Sequence, residues 1–356
     1  MKTKTWLISW AVITIIALGT AAGLTFVIDP FFHYHAPESG KFFYTLDNQR
    51  SQNDGIVRHF DYNGIITGTS MTDNFLASEA EEFFGGSFIK IPSDGASFKE
   101  INDYVAKAAL RGKLKTVIRC LDMGGFWEDK DLMREDMGTF PYYLYDENPF
   151  NDIEYLLNKD VFFGKLCRML SGRFRKDFFP GITSFDDYSS WRSGYTYGFE
   201  AVCPGGISTE KTGENTPLTD ELKERMRENI YQNVIKTTEE NPDVDFYYFY
   251  SPYSIVYWND LNNKGMLLKQ LEAESFVTDL LLPCENIHLF SFNTKLDLVA
   301  DLDNYKDSLH YGPWVNSDIL RWLKAGEYQL TKDNAENYLK EEYEIFTAYD
   351  YSGIGM

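Results

Sequence analysis

Short apolar segments alternate with amphipathic helical patterns along most of this 356-residue chain, and this alternation restricts the fold more than any other feature. Helices between consecutive strands are typical of βαβ units, whose right-handed crossovers make the sheet parallel. The pattern therefore predicts an α/β fold in three layers, with helices on both faces of a parallel five-stranded sheet. The predicted strands are residues 62–70, 87–92, 114–121, 245–250 and 287–292.

Predicted helices connect these strands. Ser97 and Glu100 form the pattern of a capping box before the helix 98–110, and Gly112 follows its end. The other predicted helices cover residues 72–84, 219–240, 261–282, a segment ending near 324, and 332–346. Chemistry in such sheets gathers at the carboxyl ends of the strands. Three segments fall on that edge: Ser70, the loop 93–95 and residues 122–125.

The composition limits the class of protein. Hydrophobic residues make up 44% of the chain and aromatic residues 16%, which is ample for a large core. The net charge is −20, and the pI is near 4.7. This charge argues against nucleic acid, and against an anionic membrane surface, as the main partner of the chain.

The N-terminal segment predicts a membrane anchor. Lys2 and Lys4 precede an uncharged run from Thr5 to Ile28, which is about the ~20 residues needed to cross a bilayer. The alternative is a cleaved signal peptide, for which residues 20–22 offer a poor cleavage site. Because the run is longer than a signal core, we favour a retained anchor over residues 1–30. The basic residues before it predict a cytoplasmic N-terminus and an extracytoplasmic remainder.

Residues 31–61 are interpreted as a juxtamembrane lead-in, residues 62–330 as the α/β domain, and residues 331–356 as a C-terminal helix and tail. We predict no metal site and no cofactor, because the four cysteines lie far apart and show no paired metal-ligand spacing. Cys120 is expected to be a buried thiol. The histidines outside the candidate site lack acidic partners at useful spacing and are interpreted as structural; they are His33, His35, His59 and His288.

The regular pattern is interrupted between residues 124 and 217. So long an excursion after the carboxyl end of a strand is typical of a lid or a substrate-binding insertion. It is rich in aromatic residues, which either stack on sugar rings or pack within the insertion. A helix is expected near residues 152–170. The basic cluster Arg168, Arg173, Arg175 and Lys176 either meets an anionic polymer or lipid headgroups, or is a solvated helix face.

Gly68-Thr69-Ser70 closes the first buried strand and is followed by residues that are able to start a helix. A serine there lies beside unpaired backbone N–H groups and the positive end of a helix dipole, which stabilise a developing oxyanion. The alternative is that Ser70 only caps the helix. A nucleophile at this position needs a base from elsewhere in the chain.

Asp307 and His310 supply that base. At a spacing of three residues on a turn, the carboxylate accepts the Nδ1–H of the imidazole, which leaves Nε2 facing outward. A serine after the first strand and Asp-x-x-His after the last strand meet across the carboxyl edge of a doubly wound sheet. The sequence therefore predicts a Ser-His-Asp triad of Ser70, His310 and Asp307.

In the segments Gly68-Thr69-Ser70 and Asp307-x-x-His310 the chain resembles the first and last conserved blocks of the SGNH (GDSL-like) hydrolase superfamily, which has a flavodoxin-like sheet. The resemblance implies that Ser70 is the nucleophile and that Gly95, after the second strand, is an oxyanion donor. The third family block departs, because the expected Gly-x-Asn is replaced by residues 120–124 with Asp122. Asp122 is expected to orient a neighbour or bind substrate, with a backbone N–H of Gly124 or Gly125 in place of the asparagine.

The layout of an N-terminal anchor and an exported SGNH-like domain is similar to proteins that act beside membrane-bound O-acyltransferases in teichoic-acid D-alanylation and alginate acetylation. The resemblance implies a serine esterase or O-acyltransferase acting on acyl esters of a cell-envelope glycan or anionic polymer. The same triad serves hydrolysis and transfer, so both stay open. The alternative is a non-catalytic accessory or carbohydrate-binding protein with an SGNH-like shell.

Overall fold

The computed structural model describes residues 2–355. In this range the strands are β1 (Phe43–Tyr44), β2 (Gly64–Gly68), β3 (Phe88–Pro92), β4 (Thr116–Leu121), β5 (Gly181–Ile182), β6 (Asp245–Tyr250), β7 (Ile287–Ser291) and β8 (Gln329–Leu330). The α-helices are α1 (Lys2–Ile28), α2 (Gln49–His59), α3 (Ala77–Phe84), α4 (Phe98–Ala109), α5 (Ile153–Leu156), α6 (Lys159–Val161), α7 (Cys167–Gly172), α8 (Phe199–Val202), α9 (Asp220–Ile230), α10 (Lys236–Glu239), α11 (Ile255–Asn263), α12 (Leu267–Leu281), α13 (Leu296–Val299), α14 (Pro313–Ala325) and α15 (Ala335–Ala348).

The chain forms two compact units. One, the N-terminal unit, contains the chain up to Asp61 together with Gly138–Ser184. The other, the sheet unit, contains Tyr62–Met137 and the chain from Phe185 onward. Residues 138–184 are thus grouped with the N-terminal segment, whereas the flanking parts of the aromatic-rich stretch belong with the sheet.

The sheet unit is built on a six-stranded sheet with the order β3-β2-β4-β6-β7-β8. The first five strands are parallel, and the short β8 pairs antiparallel with β7. The predicted α/β class with a mostly parallel sheet is confirmed. The sixth strand was not predicted, because two residues at an edge carry no periodic pattern.

The order of the strands creates a crevice next to β2. The chain leaves β2 for β3 on one side and then returns to β4 on the other side. Ligands of open α/β sheets bind at such a reversal, outside the carboxyl ends of the two strands. The residues that directly follow β2 and β4, Thr69 and Asp122, therefore meet and are hydrogen-bonded, and Ser70 comes next after Thr69.

Both faces of the sheet are covered, since all five residues of β2 are buried. Helix α3 packs on β3 and α14, whereas α12 packs on α9 and α15. Helix α4 carries the predicted capping box of Ser97 and Glu100, with both hydrogen bonds present. This capping box fixes the point at which the loop after β3 enters α4.

Several predicted helices are broken in the structure. The predicted helix 219–240 contains a π-helical turn at Tyr231–Ile235 between α9 and α10. The predicted helix 261–282 is instead α11 and α12, separated at Gly265, whose φ of +69° favours glycine. A Cβ there would lie 2.3 Å from the Glu214 carbonyl oxygen. The predicted helix 152–170 consists of α5, α6, a π-turn at Phe162–Leu166 and α7.

In the N-terminal unit, α1 is the one helix among the described residues that is long and apolar enough to span a membrane. At 1.5 Å per residue its length is about 40 Å, which exceeds the hydrocarbon core of a bilayer. Its C-terminal end is tied down within the unit. The Thr25 hydroxyl donates to the Leu156 carbonyl oxygen at 3.1 Å, and Tyr155 donates its hydroxyl to Asp29 at 2.7 Å.

His33 also lies in the N-terminal unit. The sequence predicted no acidic partner for it, but its Nε2 lies 3.3 Å from an Asp152 oxygen. The prediction was wrong because Asp152 is far away along the chain. His288 of the sheet unit likewise lies 3.2 Å from Asp245, on the neighbouring strand. Both pairings are compatible with structural roles for these histidines.

Two buried glutamates join the C-terminal helix to the sheet unit. Glu274 of α12 and Glu342 of α15 are hydrogen-bonded to each other, and Asn293 also donates to Glu274. Burial, followed by the charge of Glu342, raises the pKa of Glu274 well above its usual value. Burial raises the pKa of Glu342 from 4.5 to about 7, although the hydrogen bonds from Asn293 and Glu274 act to lower it. The folded state therefore retains protons that the unfolded chain releases.

We expect this pair to make the free energy of unfolding decrease as the pH rises. The stabilisation is complete below the unfolded pKa of the carboxyls and decreases as the pH rises toward the folded values. A shift from 4.5 to about 7 corresponds to about 3 kcal/mol. In thermal unfolding of the full chain, Glu342→Gln should flatten the decrease between about pH 5 and about pH 8. The exposed Glu341→Gln is the matched control, and an unchanged pH profile in Glu342→Gln would contradict the assignment.

Candidate active site

The serine that follows β2 is held in a tight turn. Gly68 has a φ of +152°, and a Cβ there would lie 2.7 Å from the Thr72 Cγ2 atom. Ser70–Thr72 then form a short 3₁₀ helix capped by Thr69, and the α-helix α3 begins only at Ala77. The predicted helix 72–84 is thus present only from Ala77, and Ser70 does not lie at its N-terminus. The stabilising dipole available beside Ser70 is that of a single turn.

Ser70, His310 and Asp307 form a continuous hydrogen-bonded chain. The Ser70 Oγ atom lies 2.8 Å from His310 Nε2. On the other side of the ring, His310 Nδ1 lies 2.9 Å from Asp307 Oδ2 and 3.0 Å from Oδ1. The three side chains predicted from the sequence thus lie in the order that a nucleophile, a base and an orienting carboxylate require.

The protonation of this chain follows from Asp307. Burial by itself would raise the pKa of Asp307, but hydrogen bonds from the His310 side chain and backbone, and the charge of His310, lower it to about 2. Asp307 is thus an anion that only accepts hydrogen bonds. His310 Nδ1 therefore carries a proton and donates it. With Nδ1 as the donor to Asp307, Nε2 is the nitrogen that faces the Ser70 hydroxyl.

Two further contacts fix the turn that contains Asp307 and His310. The Ser308 carbonyl oxygen accepts hydrogen bonds from the hydroxyl of Ser254, at 2.8 Å, and from its backbone N–H, at 3.2 Å. Asn316 of α14, the helix that follows His310, donates its side-chain amide to the Met71 carbonyl oxygen at 3.1 Å. The segment that follows His310 is therefore also tied to the turn that follows Ser70 by a contact outside the Ser70–His310 pair.

Ser70 and His310 line a pocket of about 320 Å³ in the sheet unit, together with Gly95, Asp122 and Gly124. The backbone N–H groups of Ser70, Gly95 and Gly124 donate to no backbone acceptor within residues 2–355, whereas that of Gly125 donates to the Asp122 carbonyl oxygen at 2.9 Å. Gly95 has a φ of +61°, which favours glycine. Of the two glycines considered in place of the family asparagine, only Gly124 thus keeps its N–H available.

Asp122 accepts hydrogen bonds where an asparagine would donate them. One carboxylate oxygen accepts from the Thr69 hydroxyl, and the other accepts from the Tyr253 hydroxyl at 2.6 Å. Because Thr69 directly precedes Ser70, this contact holds the turn that carries Ser70. The structure therefore supports the first of the two roles expected for Asp122, that of orienting a neighbour.

A buried ionisable group lies behind the same turn. Burial, followed by the charge of Asp94, raises the pKa of Asp73 to about 9, which Lys90 partly offsets. The side chain of Asp73 is hydrogen-bonded to Asp94 and Trp191. Because Asp73 retains its proton at neutral pH, it is able to donate to the Asp94 carboxylate. The contact joins the turn after Ser70 to the loop that contains Gly95.

Sequence reasoning missed Asp73, Lys90 and Trp191 as members of the site. Lys90 is buried in β3 and donates to the carbonyl oxygens of Asp73 and Asp186, and burial lowers its pKa to about 7. A lysine in the middle of an otherwise apolar strand was the available signal, because a buried charge needs partners. The partners themselves lie too far away along the chain to be identified from a pattern.

An aromatic surface lies next to His310. The Trp191 ring meets the His310 ring edge-on with centroids 5.9 Å apart. Lys306 Nζ lies 3.5 Å from the centroid of Trp191 and 4.1 Å from that of Tyr195, which is half exposed. These contacts are cation–π interactions. Part of the aromatic-rich stretch is thereby brought to the candidate site.

Among the described residues, no group of three or more His, Cys, Asp or Glu side chains is arranged so that it could hold a metal ion. All four cysteines are free, and burial raises the pKa of Cys120 well above its usual value. Cys120 Sγ lies 3.1 Å from the Ser251 hydroxyl oxygen in the core. Cys120 is thus a buried structural thiol.

Known proteins provide no family for the chain. Comparisons with protein-family models, with curated proteins and with solved structures each found no match. The function assigned to the site rests on its residues and their geometry.

Glu128 lines the same pocket as Ser70 and His310. Burial raises its pKa to about 7, although the Phe98 N–H and the charge of Arg134 act in the opposite direction. The pocket therefore gains negative charge as the pH rises through neutrality, which opposes the formation of an oxyanion at Ser70. We expect Glu128→Gln to react faster than wild type with a fluorophosphonate, by a ratio that increases from about pH 6 to about pH 8.

The exposed Glu82→Gln controls for a general change in net charge and should keep a constant ratio to wild type. Measuring each labelling rate relative to wild type at the same pH removes the titration of the other groups. If the ratio of the Glu128→Gln labelling rate to the wild-type rate does not change with pH, the charge of Glu128 has no effect on the reactivity of Ser70.

Proposed function

We propose that this protein is a membrane-anchored serine esterase or O-acyltransferase of SGNH type that acts on acyl esters of a cell-envelope glycan or anionic polymer. The observation that supports this most strongly is the hydrogen-bonded chain from Ser70 through His310 to Asp307, at the carboxyl edge of the sheet. Helix caps are common for serines, but a cap has no need of an imidazole held by an ionised carboxylate.

In the first step, Ser70 Oγ attacks the carbonyl carbon of the ester as its proton passes to His310 Nε2. Asp307 stabilises the imidazolium that forms and keeps the ring in place. The tetrahedral intermediate collapses when the alcohol departs with the proton from His310. The acyl group then remains on Ser70 as an ester.

In the second step, His310 takes a proton from the acceptor hydroxyl, which attacks the acyl carbon. The second tetrahedral intermediate releases Ser70 Oγ, which recovers its proton from His310. With water as acceptor the product is a free acid; with a sugar hydroxyl it is a new ester. The residues of the triad perform the same steps in both reactions, so the acceptor determines which of the two occurs.

The oxyanion of each intermediate is held by backbone N–H groups. We assign this role to Ser70 and Gly95, with Gly124 as the third donor, because these three N–H groups donate to no backbone acceptor in residues 2–355. One oxyanion donor contributes roughly 10²–10³-fold in rate. Asp122 supplies no donor; it holds Thr69 and thus the backbone of the nucleophile turn.

The strand order β3-β2-β4-β6-β7 is the flavodoxin-like order of doubly wound sheets, and it supports the SGNH assignment. The substrate class is supported by the aromatic surface of Trp191 and Tyr195 next to His310, to which Lys306 adds positive charge. A polymer phosphate or carboxylate pairs with the ammonium, which itself lies on one face of each ring, and a sugar ring stacks on the other face of the half-exposed Tyr195. In this proposal α1 is retained as an anchor and the sheet unit is extracytoplasmic, beside such a polymer and a membrane-bound O-acyltransferase.

The acceptor character of Asp122 favours one other candidate function. A site that lacks the side-chain oxyanion donor of the family suits a non-catalytic accessory protein, which presents a glycan to a membrane-bound O-acyltransferase. The intact chain from Ser70 to Asp307 argues against this alternative. A binding protein gains nothing from an imidazole poised to remove the serine proton.

The catalytic proposal predicts a nucleophile at Ser70. The full chain should be labelled by a fluorophosphonate on Ser70 and should hydrolyse p-nitrophenyl acetate. Both activities should fall by roughly 10³-fold or more in Ser70→Ala and His310→Ala, because the triad acts as a unit. Exposed Ser87→Ala is the matched control and should behave as wild type. Full esterase activity in His310→Ala would exclude the triad.

Envelope polymers distinguish hydrolysis from transfer. Mass spectrometry of polymers from a deletion strain should show fewer acyl groups for a transferase and more acyl groups for an esterase. Complementation with Ser70→Ala should reproduce the deletion in either case. Full complementation by Ser70→Ala would instead establish the non-catalytic accessory function.

A further inference from the structure

The N-terminal unit contains a basic segment that the proposed reaction does not use. Five of the side chains in residues 165–176 are basic and none is acidic, in a chain with a net charge of −20. Among the described residues, no carboxylate lies within ion-pair distance of Arg168, Arg173 or Lys176. Arg175 lies 3.7 Å from Asp177, but both side chains are more than 70% exposed, so this pair neutralises little charge.

Large apolar side chains are exposed in the same segment. Phe174 is 90% exposed and Phe179 is 79% exposed, and Phe163 of the preceding π-helical turn is 69% exposed. Single exposed phenylalanines are ordinary, but phenylalanines interspersed with arginines are typical of segments that lie at a membrane interface. There the rings enter the boundary of the acyl chains and the guanidinium groups stay among the headgroups.

A pocket combines the two kinds of side chain. It has a volume of about 410 Å³, within the range of small-molecule sites. Arg168 and Arg175 supply its positive charge, and Asp177, which lies 3.7 Å from Arg175, also lines it, so the lining keeps one net positive charge. Its apolar wall is formed by Phe43, Met169, Phe178 and Phe179. A ligand that matches this lining has an anionic group joined to an apolar tail.

The pocket lies near the end of the predicted membrane span. The π-helical turn Phe162–Leu166 packs on α1. Arg168 and Met169 also line a smaller neighbouring cavity, whose other wall includes Pro30, two residues beyond the end of α1. If α1 crosses a bilayer, its end brings this pocket to the level of the headgroups.

We propose that this pocket binds the headgroup of an anionic phospholipid from the membrane that α1 crosses. Arg168 and Arg175, which line the pocket, hold the phosphate, and the phenylalanines contact the glycerol and the first part of the acyl chains. The acidity of the whole chain does not prevent this, because charge is screened beyond about 10 Å at ordinary salt and the local charge decides. Bound lipid then fixes the N-terminal unit against the membrane surface.

The test uses the full chain in a nonionic detergent and counts bound lipids by native mass spectrometry. Phosphatidylglycerol should bind at least about tenfold more tightly than phosphatidylcholine with the same acyl chains, because only the former has a net negative charge. The double variant Arg168→Gln/Arg175→Gln should lose that preference. The matched control, Arg227→Gln/Arg321→Gln on exposed helices of the sheet unit, should retain it.

Two further arms identify the source of the anionic group. Phe179→Ala should weaken binding of phosphatidylglycerol, and inorganic phosphate at millimolar concentration should fail to displace it. Displacement by phosphate together with no effect of Phe179→Ala would mean that the pocket binds free phosphate, which overturns the lipid proposal. Equal binding of the two phospholipids by the wild type would overturn it as well, whatever the variants show.

Discussion

The ionised carboxylate of Asp307 is the constraint on which the candidate site depends. Because Asp307 only accepts hydrogen bonds, it determines which nitrogen of His310 carries a proton, and thereby leaves the other nitrogen as a base for Ser70. The low pKa that maintains this anion comes from His310 and from the backbone of the same turn. The turn therefore holds the imidazole and fixes its orientation within four consecutive residues.

The sheet supplies what a local turn is unable to provide. The reversal of strand order beside β2 places the ends of β2 and β4 next to each other, so that Thr69 and Asp122 meet through a hydrogen bond. Asp73 and Asp94 form a similar link between the turn after β2 and the loop after β3. The backbone donors near Ser70 thus belong to segments that are fixed to one another by polar contacts.

Periodicity and spacing were sufficient to predict the mostly parallel sheet and the meeting of Ser70, His310 and Asp307, because strand ends and an Asp-x-x-His turn are local patterns. They were insufficient for Lys90, Asp73 and Trp191, whose partners come from distant parts of the chain. The association of residues 138–184 with the N-terminal segment has the same origin. The predicted helix 72–84 begins only at Ala77, because residues 70–72 form a single 3₁₀ turn capped by Thr69.

The most direct test of the account is the detection of the acyl-enzyme itself. After brief incubation with p-nitrophenyl acetate and acid quenching, mass spectrometry of the digested full chain should find one acetyl group on the peptide that contains Ser70. The adduct should be absent from Ser70→Ala. If acetyl groups are found only on lysines, or nowhere in a chain that turns the ester over, Ser70 is not the nucleophile and the catalytic account is wrong.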